Sequence, residues 1–591
     1  MNSNAASVLN ILHPGIIMMI FGALTMLLPR PFRRPLSIIA PVCALLAFTQ
    51  MSAESSLKYE LGSFIKMEFI HFDGLSYSFM LVFCIIAVLL GIYGEGIQHR
   101  YECGMSMVYA GSVMGVVLAG DCISLIVFWE ISAFASMYVI YSKHDMASAR
   151  ASFRYILVHA FGGNMLLAGL IVYMCKYGNQ IEVISGMYKE PCFWLIAVGV
   201  AVNAAIPPLH AWLPDAYPES TATGTVYLSS FTTKAAIYVM IRMFAGLDAL
   251  IWIGAIVSIY AACMAIMENG IRRLLAYHII SQLGMMIAAV GAGGAMGADA
   301  AVAHAATNIL FKGVLMMAAG AVIYATGRSD VTELGGLAKK MPLTAACFLI
   351  SSLAIAGLPG LSGFVSKALI MDALAEGGHS VASVLLSAGG VGTLLSITLK
   401  LNWFVFFGPC DDPKDSEVER PVPFTMQLAM VLGTLLTVLI GIFPARFYAL
   451  LPNASIVHPY HLGHVLEYIA IFIGGSIPFF LYLKKMKPHD EITIDFDWFY
   501  RKPLNKFIMW FSGIIERFLV WCDRHVSGSA VYLREHFGDP YLRTQQSTSV
   551  KVKKFSFENE SRLIGDVMTA IILVFVIMIC VAAAVARAAG A

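Results

Sequence analysis

The chain has 591 residues, of which 59% are hydrophobic and only 13% charged. A soluble chain is about a quarter charged, so these few charges cannot coat a water-soluble globule; they suit a chain solvated mostly by lipid. A net charge of +2 makes no electrostatic case for nucleic acid, and 11 scattered cysteines without a CxxC spacing argue against a disulfide framework, a zinc site or an iron–sulfur cluster.

A membrane-spanning helix needs about 20 mostly apolar residues, and runs of that kind predict about sixteen spans. They fall roughly at 13–29, 36–52, 73–95, 104–119, 121–142, 151–174, 191–213, 221–246, 248–268, 274–294, 300–325, 342–377, 381–407, 422–446, 464–483 and 564–587. No basic region or small-residue cleavage site precedes the first run, which is read as a retained span. With the N-terminus outside, the inner loops gather Arg30, Arg33, Arg34, Arg100, Lys143, Arg150, Arg272, Arg273, Arg328, Lys339, Lys340, Lys414, Arg420, Lys484, Lys485 and Lys487. The outer loops keep a few, such as Lys58, Lys66, Lys176 and Lys189. That asymmetry fixes the orientation.

Two spans are interrupted, at Asn203-Ala204-Ala205-Ile206-Pro207-Pro208 and at Gly357-Leu358-Pro359-Gly360. Proline removes a backbone donor and clashes with the preceding turn. Backbone groups freed at mid-membrane cannot face lipid and must line a protein interior or a wet cavity. The breaks lie five spans apart, an odd number, so two five-helix units would sit in opposite orientations, the arrangement of an inverted-repeat transporter. The chain thus divides into N-terminal helices (1–100), a first repeat unit (101–250), a second (251–410), peripheral helices (411–484), a segment too polar to span (485–563) and a terminal anchor (564–591). Within 485–563, Leu504, Phe507, Ile508, Phe511, Ile514, Ile515, Phe518 and Leu519 form an apolar stripe at helical spacing, read as a lateral amphipathic helix.

Ionisable residues fall inside the predicted spans: Glu130, His159, Lys234, His278, His304, Lys312, Lys367 and Lys400. A charge at mid-bilayer costs about 3 kcal/mol even on lenient insertion scales, so five of them cost about 15 kcal/mol if they face lipid. They are expected to point inward, hydrated or paired. Desolvation favours the uncharged form of such residue types, which brings them toward reversible protonation, and a row of them is a proton relay. Each taken alone could be a structural polar contact between helices, and Lys234 or Lys400 could snorkel to an interface. A haem held by His159, His278 and His304 has no support in their spacing.

Several segments resemble the antiporter-like subunits shared by respiratory complex I, Mrp-type cation/proton antiporters (their D-type subunits in particular) and energy-converting membrane-bound hydrogenases. Phe128-Trp129-Glu130 is similar to the family's glutamate motif, and Pro208-Leu209-His210-Ala211-Trp212-Leu213-Pro214-Asp215-Ala216 to its PLHxWLPDA signature. Thr233-Lys234-Ala235-Ala236, Arg272-Arg273-Leu274-Leu275-Ala276-Tyr277-His278 with Ser281-Gln282-Leu283-Gly284, the His304–Lys312 helix, and Gly363-Phe364-Val365-Ser366-Lys367 match further motifs in order. The resemblance covers roughly residues 70–410.

It implies an all-α membrane fold with two inverted repeats, and a proton or sodium path with Glu130 and Lys234 as input, His278, His304 and Lys312 at the centre, and Lys367 as exit. Lys400 extends this set, and His159, Asn203, His210 and Asn308 support it. It further implies other membrane subunits as partners, antiporter-like and small hydrophobic ones, and redox subunits if the complex is an oxidoreductase. The implied location is a bacterial or archaeal cell membrane, the inner one where there are two. No motif binds a flavin, haem or metal, so no cofactor is expected in this chain. Two positions depart from the family pattern. Asn203 stands where a lysine usually faces the glutamate, and Asn308 where a middle histidine usually lies between His304 and Lys312. These departures keep open a second reading, a structural subunit that kept the fold and lost transport. A stand-alone solute carrier is a weaker third.

Overall fold

A computed structural model describes residues 12–483, apart from 53–54, 62–64, 96 and 410–416, together with separate positions between 495 and 525. The expected anchor at 564–587 and most of the lateral segment lie outside the described residues. The chain divides into two units near residue 494.

The first unit is almost wholly helical, because in lipid a helix satisfies its own backbone groups. It opens with α1 (Pro14–Leu27) and α2 (Arg30–Thr49). An antiparallel hairpin follows, β1 (Ser56–Leu61) and β2 (Ile65–His71), where the hydropathy pattern predicts only a loop. Then come α3 (Gly74–Gly94), α4 (Arg100–Leu118), α5 (Cys122–Tyr141), α6 (Met146–Tyr177) and α7 (Pro191–Asn203). The short α8 (Trp212–Ala216) leads to α9 (Gly224–Ser230) and α10 (Thr232–Phe244). Next are α11 (Ala249–Met267), α12 (Ile271–Ala292), α13 (Gly294–Thr326), α14 (Pro342–Ala356), α15 (Ser362–Glu376) and α16 (Ser380–Thr393). A π-helical stretch, Leu394–Phe407, continues α16, and α17 (Phe424–Ile442), α18 (Pro444–Tyr448) and α19 (Leu462–Leu481) complete the unit. Among the described residues, eleven helices are long and apolar enough to cross a membrane.

Both expected breaks are present. α7 stops at Asn203 ahead of Pro207 and Pro208, and α14 stops at Gly357, with Gly357 (φ 96°) and Gly360 (φ 94°) in the left-handed region that favours glycine. A third break was not expected. The predicted span 221–246 divides at Phe231 into α9 and α10, three residues before Lys234.

Small residues let helices approach closely. Gly15 and Gly22 of α1 face Gly111 and Gly104 of α4, and a Cβ on Gly15 would stand 2.3 Å from the Gly111 carbonyl oxygen. Gly254 and Gly284 join α11 to α12 in the same way, at 2.4 Å. α12 and α13 are buried on nearly every side and form the centre of the unit. Asp121 ties the hairpin to it: this buried N-cap of α5 accepts from Glu68 N (2.6 Å), Ile123 N, Ser124 N and Asn179 Nδ2.

In the second unit, residues 509–518 are helical and carry part of the predicted stripe, with Phe511, Ile514, Ile515 and Phe518 exposed along it.

Candidate functional site

The buried charges occupy the helix breaks and the two central helices. Lys234, Lys312 and Lys367 are 0–1% exposed, and His278 and His304 are 0% exposed. None of them faces lipid.

At the first break, Glu130 of α5 is buried and has no hydrogen bond or ion pair among the described residues. Its carboxyl lies against α6: a Cβ on Gly163 would stand 1.9 Å from Oε1. His159, one turn earlier on α6, stacks on Tyr155 with 3.9 Å between centroids and meets Trp212 edge-on at 4.6 Å. The end of α7 brings Asn203 beside this imidazole. Trp212 Nε1 donates to the Val202 carbonyl (2.9 Å), in the last turn of α7. Arg154 clasps Asp215 through two bonds (2.6 and 3.0 Å), which fixes α8 and its PLHxWLPDA stretch of sequence on α6. His210 Nε2 lies 3.2 Å from the Tyr260 hydroxyl.

At the unforeseen break, Lys234 Nζ donates to the Ser229 carbonyl (2.7 Å), near the end of α9. The expected input pair does not form directly: no ion pair joins Glu130 to Lys234 among the described residues. Tyr109 of α4 holds the start of α10, its hydroxyl accepting from Thr232 N (2.8 Å) and bonded to Thr232 Oγ1.

In the centre, His278 Nε2 meets Ser396 Oγ at 2.6 Å, so α12 is linked to the π-helical stretch. His304 of α13 bridges two helices, with Nδ1 3.0 Å from Ser366 Oγ on α15 and Nε2 3.2 Å from Gln282 Oε1 on α12. Thr307 Oγ1 donates to the same Ser366 oxygen at 2.9 Å. Lys312 Nζ, both amide atoms of Asn308, Gln282 Nε2 and His278 Nδ1 are buried without a protein partner.

At the second break, Lys367 Nζ donates to the Ile355 carbonyl (2.6 Å), freed at the end of α14. Lys400, in the π-helical stretch, donates to the Ile266 and Glu268 carbonyls (both 2.8 Å) at the end of α11. Sequence reasoning missed Ser229, Ser366, Ser396 and Tyr109 as partners. Ser366 was legible beside Lys367 and Ser229 lies five residues before Lys234, but Ser396 and Tyr109 approach from distant segments and left no local signal.

The sequence model of a family described as NADH:quinone oxidoreductase/Mrp antiporter, transmembrane, matches residues 119–396. A curated relative, Na(+)/H(+) antiporter subunit A1 of Staphylococcus haemolyticus, is 28% identical over 509 residues, which cover 76% of this chain and 62% of that protein. The subunit A1 of Staphylococcus aureus is 26% identical over 581 residues, covering 84% and 71%. The chain therefore spans less than two thirds of the first relative's length. Three solved structures share the fold. The Mrp complex from Dietzia sp. matches at TM-score 0.63 and 20% identity over 78% of this chain and 95% of its own. The membrane-bound sulfane sulfur reductase, an archaeal respiratory membrane complex, matches at 0.67 and 22% over 80% and 100%. Respiratory complex I from Thermus thermophilus with bound NADH matches at 0.66 and 22% over 78% and 99%. The curated relatives are of the A type, whereas the core motifs resemble the D type. Residues 119–396 of this multi-pass membrane chain thus match the NADH:quinone oxidoreductase/Mrp antiporter family model, and the chain is similar to antiporter subunits of the Mrp kind.

Proposed function

We propose that the chain is the proton- or sodium-translocating subunit of a multisubunit complex in a cell membrane, the inner one where there are two. Its partners are other membrane subunits of the Mrp or respiratory kind, and its two halves are inverted repeats. One observation carries this reading: Lys312 Nζ lies in the centre of the helical core without a protein partner, beside an equally unpartnered Asn308. A lysine kept only to hold helices together would be paired, because an isolated buried charge is too costly to retain. Buried polar atoms without protein partners are satisfied by water, and a hydrated lysine within electrostatic reach of His278 and on the same helix as His304 is fit to take up and release a proton.

The residues form a series in which neighbouring charges repel. His304 and Lys312 are eight residues apart on one helix, about 12 Å along its axis. At an effective dielectric of about 20, two charges at that separation interact by about 1.4 kcal/mol, a factor of about ten in the equilibrium between charge states. Occupying one group therefore drives the proton from the next. The membrane potential adds about 2.3 kcal/mol per charge for each 100 mV. The family's usual middle histidine is Asn308 here, so water must complete the step between His304 and Lys312.

The test is transport by the complex that co-purifies with this chain in mild detergent, reconstituted in vesicles with an imposed potential or opposing ion gradient. Lys234→Ala, assembled at the parental level, should lower ion movement at least tenfold. Unchanged transport would sink the proposal.

A further inference from the structure

We infer that His159 takes the place of the missing lysine opposite Glu130, exchanging a proton with it while Asn203 holds the imidazole in position. This rests on the transport reading above. The position that would supply a cation at the end of α7 carries Asn203, whose amide can hydrogen-bond but cannot change its charge. Lys234, the other candidate, is engaged with the Ser229 carbonyl and makes no ion pair with Glu130. The Glu130 carboxyl lies instead against Gly163 of α6, so closely that a side chain at 163 would collide with Oε1. His159 precedes Gly163 by four residues. The two therefore lie on one face of α6, one turn apart, about 6 Å along the axis.

His159 is built to be held rather than to pack. It is 2% exposed, yet its Nε2 has no protein partner. Its ring is clamped between Tyr155 and Trp212, and Asn203 lies beside it with Oδ1 also unpartnered. An amide suits both states of an imidazole: Oδ1 accepts from a protonated ring nitrogen, and Nδ2 donates to a bare one. In the exchange, the proton leaves the Glu130 carboxyl and binds His159, converting a neutral pair into carboxylate and imidazolium. The reverse step restores both.

The couple also has a way onward. The Tyr155 hydroxyl is 2.8 Å from Ser136 Oγ and within reach of Thr232. Thr232 in turn bonds the Tyr109 hydroxyl and lies two residues from Lys234. Hydroxyl groups thus connect the α5–α6 interface with the break that carries Lys234.

The experiment compares the reconstituted complex with variants His159→Gln, Asn203→Lys, the double variant His159→Gln/Asn203→Lys, and Lys234→Ala, each purified at parental subunit ratio. His159→Gln is expected to lower ion transport at least tenfold, and the double variant to recover it to within about threefold of the parent, because a lysine at 203 restores a chargeable partner. His159→Asn replaces His159→Gln if the latter does not assemble. Transport within twofold of the parent in the histidine variant overturns the inference, and so does a loss that Asn203→Lys fails to rescue. If Lys234→Ala abolishes transport while His159→Gln does not, only the His159 role falls. If neither variant changes transport, the translocation reading falls with it.

Discussion

Among the described residues, three of the four buried lysines are docked in one way, each ammonium on backbone carbonyls at the C-terminal end of a helix. Lys234 takes Ser229 of α9, Lys367 takes Ile355 of α14, and Lys400 takes Ile266 and Glu268 at the end of α11. Those carbonyls have no partner within their own helix and carry the negative end of its dipole. Lys312 is the exception, in mid-helix with no protein partner. The difference is measurable. Lys367→Met leaves the buried Ile355 carbonyl without its donor, a loss of about 1–3 kcal/mol. Lys312→Met orphans no protein acceptor, so the purified complex should melt close to the parent while losing transport. Comparable destabilisation by both variants would show that Lys312 has a structural partner after all. A second prediction concerns Asp73, which caps α3 and binds Arg242 through two bonds of 2.6 and 2.7 Å. Burial opposes ionisation of this carboxyl, but the Arg242 guanidinium outweighs it and holds Asp73 down at about 2, below its ordinary 3.8. Because the folded value is depressed, the stabilisation is fully present above about pH 4 and is lost as pH falls through 2. Asp73→Asn keeps an N-capping side chain and removes only the charge. It should therefore lower the melting temperature slightly at pH 7 and make no difference near pH 2, whereas Asp73→Ala should cost more at pH 7.

Among the elements, those whose causes lie in adjacent residues were legible and those caused from a distance were not. Pro207 and Pro208, and Gly357 through Gly360, announced their breaks because proline and left-handed glycine act on their own backbone. Phe231 did not, since it carries no such mark. The residues around it, Ser229, Ser230, Thr232 and Thr233, could have served: hydroxyl side chains compete for backbone groups, and Ser229 and Ser230 both donate to the Val226 carbonyl. The π-helical stretch had no readable cause, its sequence being as apolar as its neighbours. The hairpin has a signal in the alternation of Lys58 and Glu60, and of Lys66 and Glu68, but charges at that density read equally well as a loop between spans. Within the site, the buried lysines and histidines were legible because ionisable residues stand out in apolar runs. Their partners were not, because serines and carbonyls are common everywhere. At the second break, Gly441 of α17 packs on Gly360, where a Cβ would stand 2.2 Å from the Gly360 carbonyl oxygen. Gly441→Ala should therefore push α17 off the break and lower the yield of intact complex, whereas Gly474→Ala on α19, where a Cβ meets nothing within 4 Å, should not.

For the whole molecule, the loop charges make a directional claim that the helices allow to be checked. On that claim the hairpin is expected on the outer side, and the turns holding Lys143 and Arg328 on the inner side. Tyr59→Cys, at a side chain 53% exposed on β1, should react with a membrane-impermeant maleimide in intact cells, in a background freed of native cysteines. Lys143→Cys should react only after the membrane is opened. The reverse pattern would invert the topology and exchange the entry and exit assigned to Glu130 and Lys367. The docked lysines have a consequence at this scale too. Carboxylates as counter-charges would be neutralised whenever one compartment turned acidic, and the lysines they held would be released together. A peptide carbonyl cannot be protonated in that range, so its hold on an ammonium does not fade with acidity. Resting positions fixed in this way do not loosen when either compartment turns acidic, which leaves voltage, the occupancy of neighbouring groups and each lysine's own proton as the signals the chain obeys.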